Sequence, residues 1–260
     1  MSAFDAYAKK YDTDFSDSTI GKCQRDSVHR YLLKLPLQNA KVLDVGGGTG
    51  VDALFFSEVA LEVVYSDASS EMKKIADSRL SAKTNVKTVL KPAQELNEEF
   101  TDKQLIYSGF GALNCLSPNE LIAFSQQIQS KNAESVDLIM VVMGRSCIWE
   151  RIYFGLKGNK IEKGRRSAKG PVMANAGKGK IATWYYSPNE LQALFGAKFK
   201  LIRKVPVGLF VPPSYLQPFF NKHSFLLHVL NIVDKSCRWM GWTANYADHF
   251  LIHLKLTVAT

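Results

Sequence analysis

The run Leu43-Asp44-Val45-Gly46-Gly47-Gly48-Thr49-Gly50 is the part of this sequence richest in chemical meaning. Glycines at 46, 48 and 50 let the main chain turn tightly and let a ligand lie against backbone with no Cβ in the way. The dinucleotide fingerprint G-x-G-x-x-G would need glycine at 51, where Val51 stands. Asp67 follows at the end of the next apolar run, where a carboxylate can accept both hydroxyls of a ribose. For proton transfer, His249 beside Asp248 is the best candidate, and the other histidines read as structural. Glu150 and Tyr153, three apart on a helical pattern, are weaker candidates to face a substrate. The four cysteines are scattered without a C-x-x-C pair, so no metal site is expected.

The acid followed by G-x-G-x-G resembles motif I of the class I S-adenosylmethionine-dependent methyltransferases. The resemblance implies S-adenosyl-L-methionine as cofactor, with Gly46, Gly48 and Gly50 around its methionine part and Asp44 on its ammonium group. Asp67-Ala68-Ser69-Ser70-Glu71-Met72 resembles the family's D-x-S-x-x-M turn, which implies Asp67 and Ala68 at the ribose and Met72 packed on the adenine. The family usually has an acid where Pro92 stands, so the Ala93 amide and Gln94 are expected at the base instead. Small residues around Ser108 leave room for the sulfonium. Tyr11 and Arg25 fall in the segment that lids the cofactor in many members. The Asp/Asn-Pro-Pro-aromatic motif of nucleic-acid amino-methyltransferases is absent, which argues against an exocyclic base nitrogen as acceptor. From Gly144 onward, Trp149-Glu150 and Arg165-Arg166 are similar to bacterial small-molecule methyltransferases.

These residues need a frame. Apolar runs at 41–45, 61–67, 85–90, 103–109 and 136–144 alternate with helical patterns at 51–59, 70–81 and 118–130. Such alternation predicts a mostly parallel sheet covered on both faces, with the ligand beyond the strands' carboxyl ends. The expected fold is α/β and Rossmann-like, seven-stranded, with a substrate-side elaboration at its C-terminal end. Residues 1–35 read as a helical lid and 36–145 as the cofactor-binding core. The remainder, 146–260, supplies further strands and substrate-binding insertions within the same domain. There, 146–158 reads as a helix, 157–180 as a basic loop, and 180–187, 198–208 and 249–258 as strands. Ser187 with Glu190 forms a capping box for a helix over 187–196.

Composition narrows the class. With 46% hydrophobic and 22% charged residues, the chain is globular rather than disordered. The start MSAFDAYAKKYD has no apolar signal core, and no run is long enough to span a membrane, so a cytoplasmic protein is expected. The net charge is +9, of which residues 151–180 contribute +8, leaving about +1 elsewhere. A concentrated basic segment points to a local anionic partner. With Trp184 and Tyr185 beyond it, and Arg165 and Arg166 within it, the expected acceptor has an apolar body and an anionic part. Residues 209–220 add a possible contact with an anionic membrane surface. Two alternatives stand beside a small or lipid-like acceptor. One is an RNA or protein methyltransferase using 151–180; the other is a non-catalytic cofactor-binding protein or a nicotinamide-dependent oxidoreductase.

Overall fold

The structure, a computed structural model, describes residues 4–132, 134–176 and 179–257. Five parallel strands form the first part of its main sheet: β1 (Lys41–Val45), β2 (Glu62–Asp67), β3 (Val86–Leu90), β4 (Leu105–Ser108) and β5 (Asp137–Met143). Two further strands, β8 (Phe199–Val207) and β9 (His249–Leu256), complete a seven-stranded sheet in the order β3-β2-β1-β4-β5-β9-β8. β9 runs antiparallel to both its neighbours, so its first residue, His249, lies level with the carboxyl end of β5, opposite Met143. A separate antiparallel ribbon comprises β6 (Val172–Ala176) and β7 (Gly179–Thr183).

Side-chain alternation in the strands builds an apolar layer on each face. Leu43 and Val45 of β1 join Phe124 of α5 (Pro118–Lys131) and Phe195 of α8 (Pro188–Phe195) on one side. Val42 joins Phe56 of α3 (Val51–Val59) and Ala76 of α4 (Ser70–Leu80) on the other. Ser69 caps α4, while Ser117 and Ser187 each form a full capping box with the glutamate three residues on.

The N-terminal segment divides in two. α1 (Ala8–Tyr11) and a π-helical turn (Asp12–Ser16) lie over the carboxyl edge, while α2 (Thr19–Leu32) is a sheet-face helix whose Val28 and Leu32 belong to the second core layer. The lid is thus shorter than the 1–35 expected.

After β5 come α6 (Ile148–Leu156) and α7 (Lys160–Gly164), then a 3-10 turn, Arg165–Ser167. The expected loop over 157–180 is therefore largely ordered structure, and 180–187 contributes to the ribbon rather than to the main sheet. Lys178 of the basic segment lies outside the described residues. Between β8 and β9 a cap of α9 (Gln217–Lys222) and α10 (Ser224–Cys237) joins α6 and α2 through a third apolar cluster. That cluster holds Ile20, Val211, Leu216, Phe220 and Leu227, with Trp149 and Tyr153 against it.

Candidate active site

The glycine loop leaves β1 and enters α3 beside the ends of β2 and β4, and with them it lines a small cavity. Asp44, Gly46, Gly47, Gly48, Gly109 and Phe110 form one side, and Tyr11 and Arg25 close the other. Gly48 has φ +55, and a Cβ there would point toward Tyr11 Cε1 at 3.9 Å, so this glycine keeps the cavity open beneath the lid. Gly50, at φ +80, has a different task. A Cβ there would approach Ala76 Cβ to 2.9 Å, so Gly50 lets α3 pack closely on α4 rather than facing a ligand. Gly46 stands against Ala112 in the same way.

Asp44 is fully buried, and neither carboxylate oxygen has a hydrogen-bond partner. Burial pushes its carboxyl well above the usual range. Orphaned buried carboxylates are rare because desolvation without a partner is costly, so this one calls for a cation in the cavity. Asp67 at the end of β2 accepts from the Gly48 amide through Oδ2 at 2.9 Å and from the Ser69 amide through Oδ1 at 2.8 Å. Burial nevertheless raises its carboxyl. Ala68 follows it, and Met72 is buried in the first turn of α4. Ser108 is buried and donates to the Val45 carbonyl at 2.9 Å, stitching β4 to β1. Ala93 sits half-buried in a 3-10 turn, and Gln94 is exposed, its amide donating to Glu120.

The lid is clasped from below. Thr49 Oγ1 donates to Asp12 at 2.6 Å, Arg79 pairs with Asp12 at 2.8 Å, and Ser69 donates to Asp5 at 2.6 Å. Arg25 pairs with Asp52 at 2.5 Å, and His29 holds the other oxygen of Asp52 at 2.7 Å. Burial opposes ionisation of Asp52, but Arg25 and His29 outweigh it and hold the carboxyl well below the usual range. Sequence reasoning missed Asp52, although an acid in the first turn of the helix after a glycine loop was the available signal. It also missed Phe110. That residue has φ +36, rare for a side chain with a Cβ, and its ring lies 4.8 Å from the Arg25 guanidinium and edge-on to His249 at 5.6 Å.

His249 is buried, with Nδ1 3.2 Å from Asp248 Oδ2 but off the hydrogen-bonding angle. Asp248 also accepts from Gln24 at 3.1 Å and Arg166 at 2.7 Å. Burial raises its carboxyl, but His249 and Arg166 more than offset this and leave it strongly lowered. His253 reads as structural and is so, bound by Tyr31 at 2.7 Å and Asp137 at 2.9 Å.

The basic pair changes its meaning. Arg166 is buried, and its two terminal nitrogens donate to Glu150, Asp248 and two backbone carbonyls, while Nε has no hydrogen-bond partner. Arg165 pairs with Glu150 at 2.6 Å and keeps part of its surface exposed. Glu150, 2% exposed, is the anchor of this cluster rather than a free base. Tyr185 is buried under Arg166, whose Cζ lies 5.2 Å from its ring. The Trp184 backbone is clamped by Asn114, and its side chain packs on the core. Of the four expected substrate-side residues, only Arg165 keeps a charge toward solvent. Tyr153 instead joins Phe154 and Tyr215 in an aromatic wall, at 5.0 and 5.8 Å between ring centroids. Among the described residues, no group of three or more His, Cys, Asp or Glu could hold a metal.

Residues 42–143, which carry the glycine loop, Asp67 and Ser108, match the family model described as "Methyltransferase domain". Over these residues the chain carries a methyltransferase domain. The cavity fits S-adenosylmethionine, since an unpaired buried carboxylate faces a glycine loop where a Cβ on Gly47 would lie 2.6 Å from Asp44 Oδ2. No curated protein matches the chain in sequence. Among solved structures, the chain is similar in fold to a SAM-dependent methyltransferase of Methanosarcina mazei, at 15% identity and TM-score 0.58, covering 89% of this chain and 97% of that one. The DhpI-SAM-HEP complex aligns at 16% identity and TM-score 0.59, covering 98% and 94%. The Haemonchus contortus phosphoethanolamine N-methyltransferase 1, in complex with phosphoethanolamine and S-adenosylhomocysteine, aligns at 16% and 0.59, covering 98% of this chain and 48% of that one. These likenesses support the seven-stranded methyltransferase fold.

Proposed function

We propose that this methyltransferase domain serves a small or lipid-like acceptor with an apolar body and an anionic part, and that His249 receives the acceptor's proton. The observation that carries the reading is Phe110, which lines the glycine-loop cavity on one side and touches His249 on the other. Bound S-adenosyl-L-methionine supplies a methyl already activated on a sulfonium. Asp44 meets its ammonium group, Asp67 and Ala68 its ribose, and Met72, Ala93 and Gln94 its base. Tyr11 and Arg25 close over it and Gly48 gives it room, while Gly46, Gly50 and Ser108 hold the loop and the strand ends packed beneath it. Positioning then supplies much of the rate, because alignment of nucleophile and methyl removes an entropic barrier.

His249, oriented by the ionised Asp248, takes the proton of a hydroxyl, phenol or ammonium nucleophile. The aromatic wall of Tyr153, Phe154 and Tyr215 suits the apolar body. Lys157, over the Tyr153 ring at 4.3 Å, and Arg165 suit the anionic part. The phosphoethanolamine carried by the nematode enzyme is one acceptor with such an anionic group.

Calorimetric titration with S-adenosylhomocysteine, with NADH as control, tests the cofactor half; binding that weakens in Asp67→Ala is expected, and NADH binding would overturn it. For the acceptor half, methyl transfer is measured over a panel of hydroxylated and amino amphiphiles bearing phosphate or carboxylate. His249→Asn should lower kcat at unchanged S-adenosylhomocysteine affinity, and added imidazole should restore part of it. An unchanged kcat would remove His249 from the mechanism.

A further inference from the structure

The cap that closes the acceptor side turns its apolar residues outward. On α10, Phe225, Leu226, Val229, Ile232 and Val233 recur at the spacing of one helix face, and all are exposed, Phe225 to 79%. The opposite face is the buried one. It contributes Leu227 to the third apolar cluster and Asp234, whose carboxylate accepts from the Phe210 and Val211 amides at 2.7 and 3.3 Å. A surface helix normally does the reverse, presenting polar residues to water and its apolar stripe to the core. Trp239 and Trp242 follow, 71% and 68% exposed.

α6 repeats the arrangement. Trp149 and Tyr153 face the same cluster that Leu227 enters, while Ile148, Ile152 and Leu156 face solvent, Leu156 at 86%. Ile161 of α7 continues that ridge at 83%. Exposed apolar ridges of this kind, one on α6–α7 and one on α10, mark an interaction site.

Charge identifies the occupant. Arg151, Lys157, Lys160 and Lys163 are interleaved with the α6–α7 ridge, and Lys222 precedes α10; all five are exposed. The acids of the two segments are Glu150 and Asp234, both buried, and the half-exposed Glu162. A second copy of the chain would set these cations against their own kind. A bilayer rich in acidic headgroups neutralises them while its acyl boundary takes the aliphatic and indole side chains. No described helix is long and apolar enough to cross a membrane, so the contact is peripheral.

We propose that the outer face of α6–α7 and α10 docks this enzyme on an anionic membrane surface. The proposal goes beyond the methyl-transfer reading and is read without cofactor or acceptor. The full chain is sedimented with phosphatidylglycerol/phosphatidylcholine vesicles and with phosphatidylcholine vesicles alone, while tryptophan emission is followed. Expected are pelleting and a blue shift with the acidic vesicles, both reversed by salt. Leu156→Glu/Ile161→Glu and Phe225→Glu/Val229→Glu should each abolish pelleting. Lys160→Gln/Lys163→Gln should weaken it about fivefold per charge. S-adenosylhomocysteine affinity should stay unchanged in all of them, which shows that the variants fold and separates this proposal from the cofactor reading. No pelleting, pelleting that survives both glutamate pairs, or a dimer in light scattering that those pairs dissolve would each overturn the proposal.

Discussion

Asp44 is the most exposed to experiment of the residues around the glycine loop, because it is buried, ionisable and unpartnered. Burial holds its folded-state pKa well above the ordinary aspartate value, so the folded protein binds the proton more tightly than the unfolded chain does. Its contribution to stability therefore declines as pH rises from that value toward the folded pKa. Asp44→Asn should raise the cofactor-free melting temperature at neutral pH and weaken S-adenosylhomocysteine by about 1.5–3 kcal/mol, the worth of a charged hydrogen bond. Wild-type affinity should climb with pH as Asp44 ionises, with a proton released into the calorimeter buffer; the variant should release none. Phe110 offers a second measurement. A left-handed backbone at a residue bearing Cβ costs about 1–3 kcal/mol, so Phe110→Gly should unfold at higher denaturant than Phe110→Ala although both lose the ring. Equal midpoints would mean that the backbone relaxes when the ring is gone.

At the scale of elements, the lid and the Glu150 cluster make opposite predictions. The lid's clasp on Asp12 is partly exposed, and such pairs contribute about 0.2–1 kcal/mol. Asp12→Ala should therefore speed cofactor release no more than about fivefold in stopped flow, with little change in melting. Glu150 is different, since its removal leaves Arg165 and Arg166 without their shared carboxylate. Breaking a buried pair costs about 3–5 kcal/mol, so Glu150→Ala should show a large loss in denaturant titration. Unchanged stability with a lost kcat would restore Glu150 as a base. The strands from β1 to β5 were legible because each is a short apolar run bounded by helical or turn signals. β6 was not, because Val172–Ala176 lies among glycines and lysines and pairs, among the described residues, with its own neighbour β7. Arg165 and Arg166 looked substrate-facing for a related reason: charge density is visible along a chain, whereas the acids that neutralise Arg166 lie at Glu150 and Asp248. Asp44, by contrast, adjoins the loop in sequence, so its place against Gly47 depends on no distant segment.

For the whole molecule, ligand linkage gives the broadest check. S-adenosylhomocysteine at a hundredfold its Kd should stabilise the native state by about 2.7 kcal/mol, seen as a higher melting temperature that Asp67→Ala lowers at the same concentration. The sheet's last two strands add a temporal consequence. Among the described residues β8 finds its only ladder partner in β9, which inserts between β5 and β8 yet is the later of the two to be made. A ribosome paused between them would hold a nascent chain whose β8 hangs unzipped and whose β5 lacks one neighbour. His249, the proposed base, arrives with the strand that seals this gap, so it and the closure of the sheet come in a single late step. Arrested chains ending before residue 249 should be protease-sensitive at β8, and release of a few more codons should harden them.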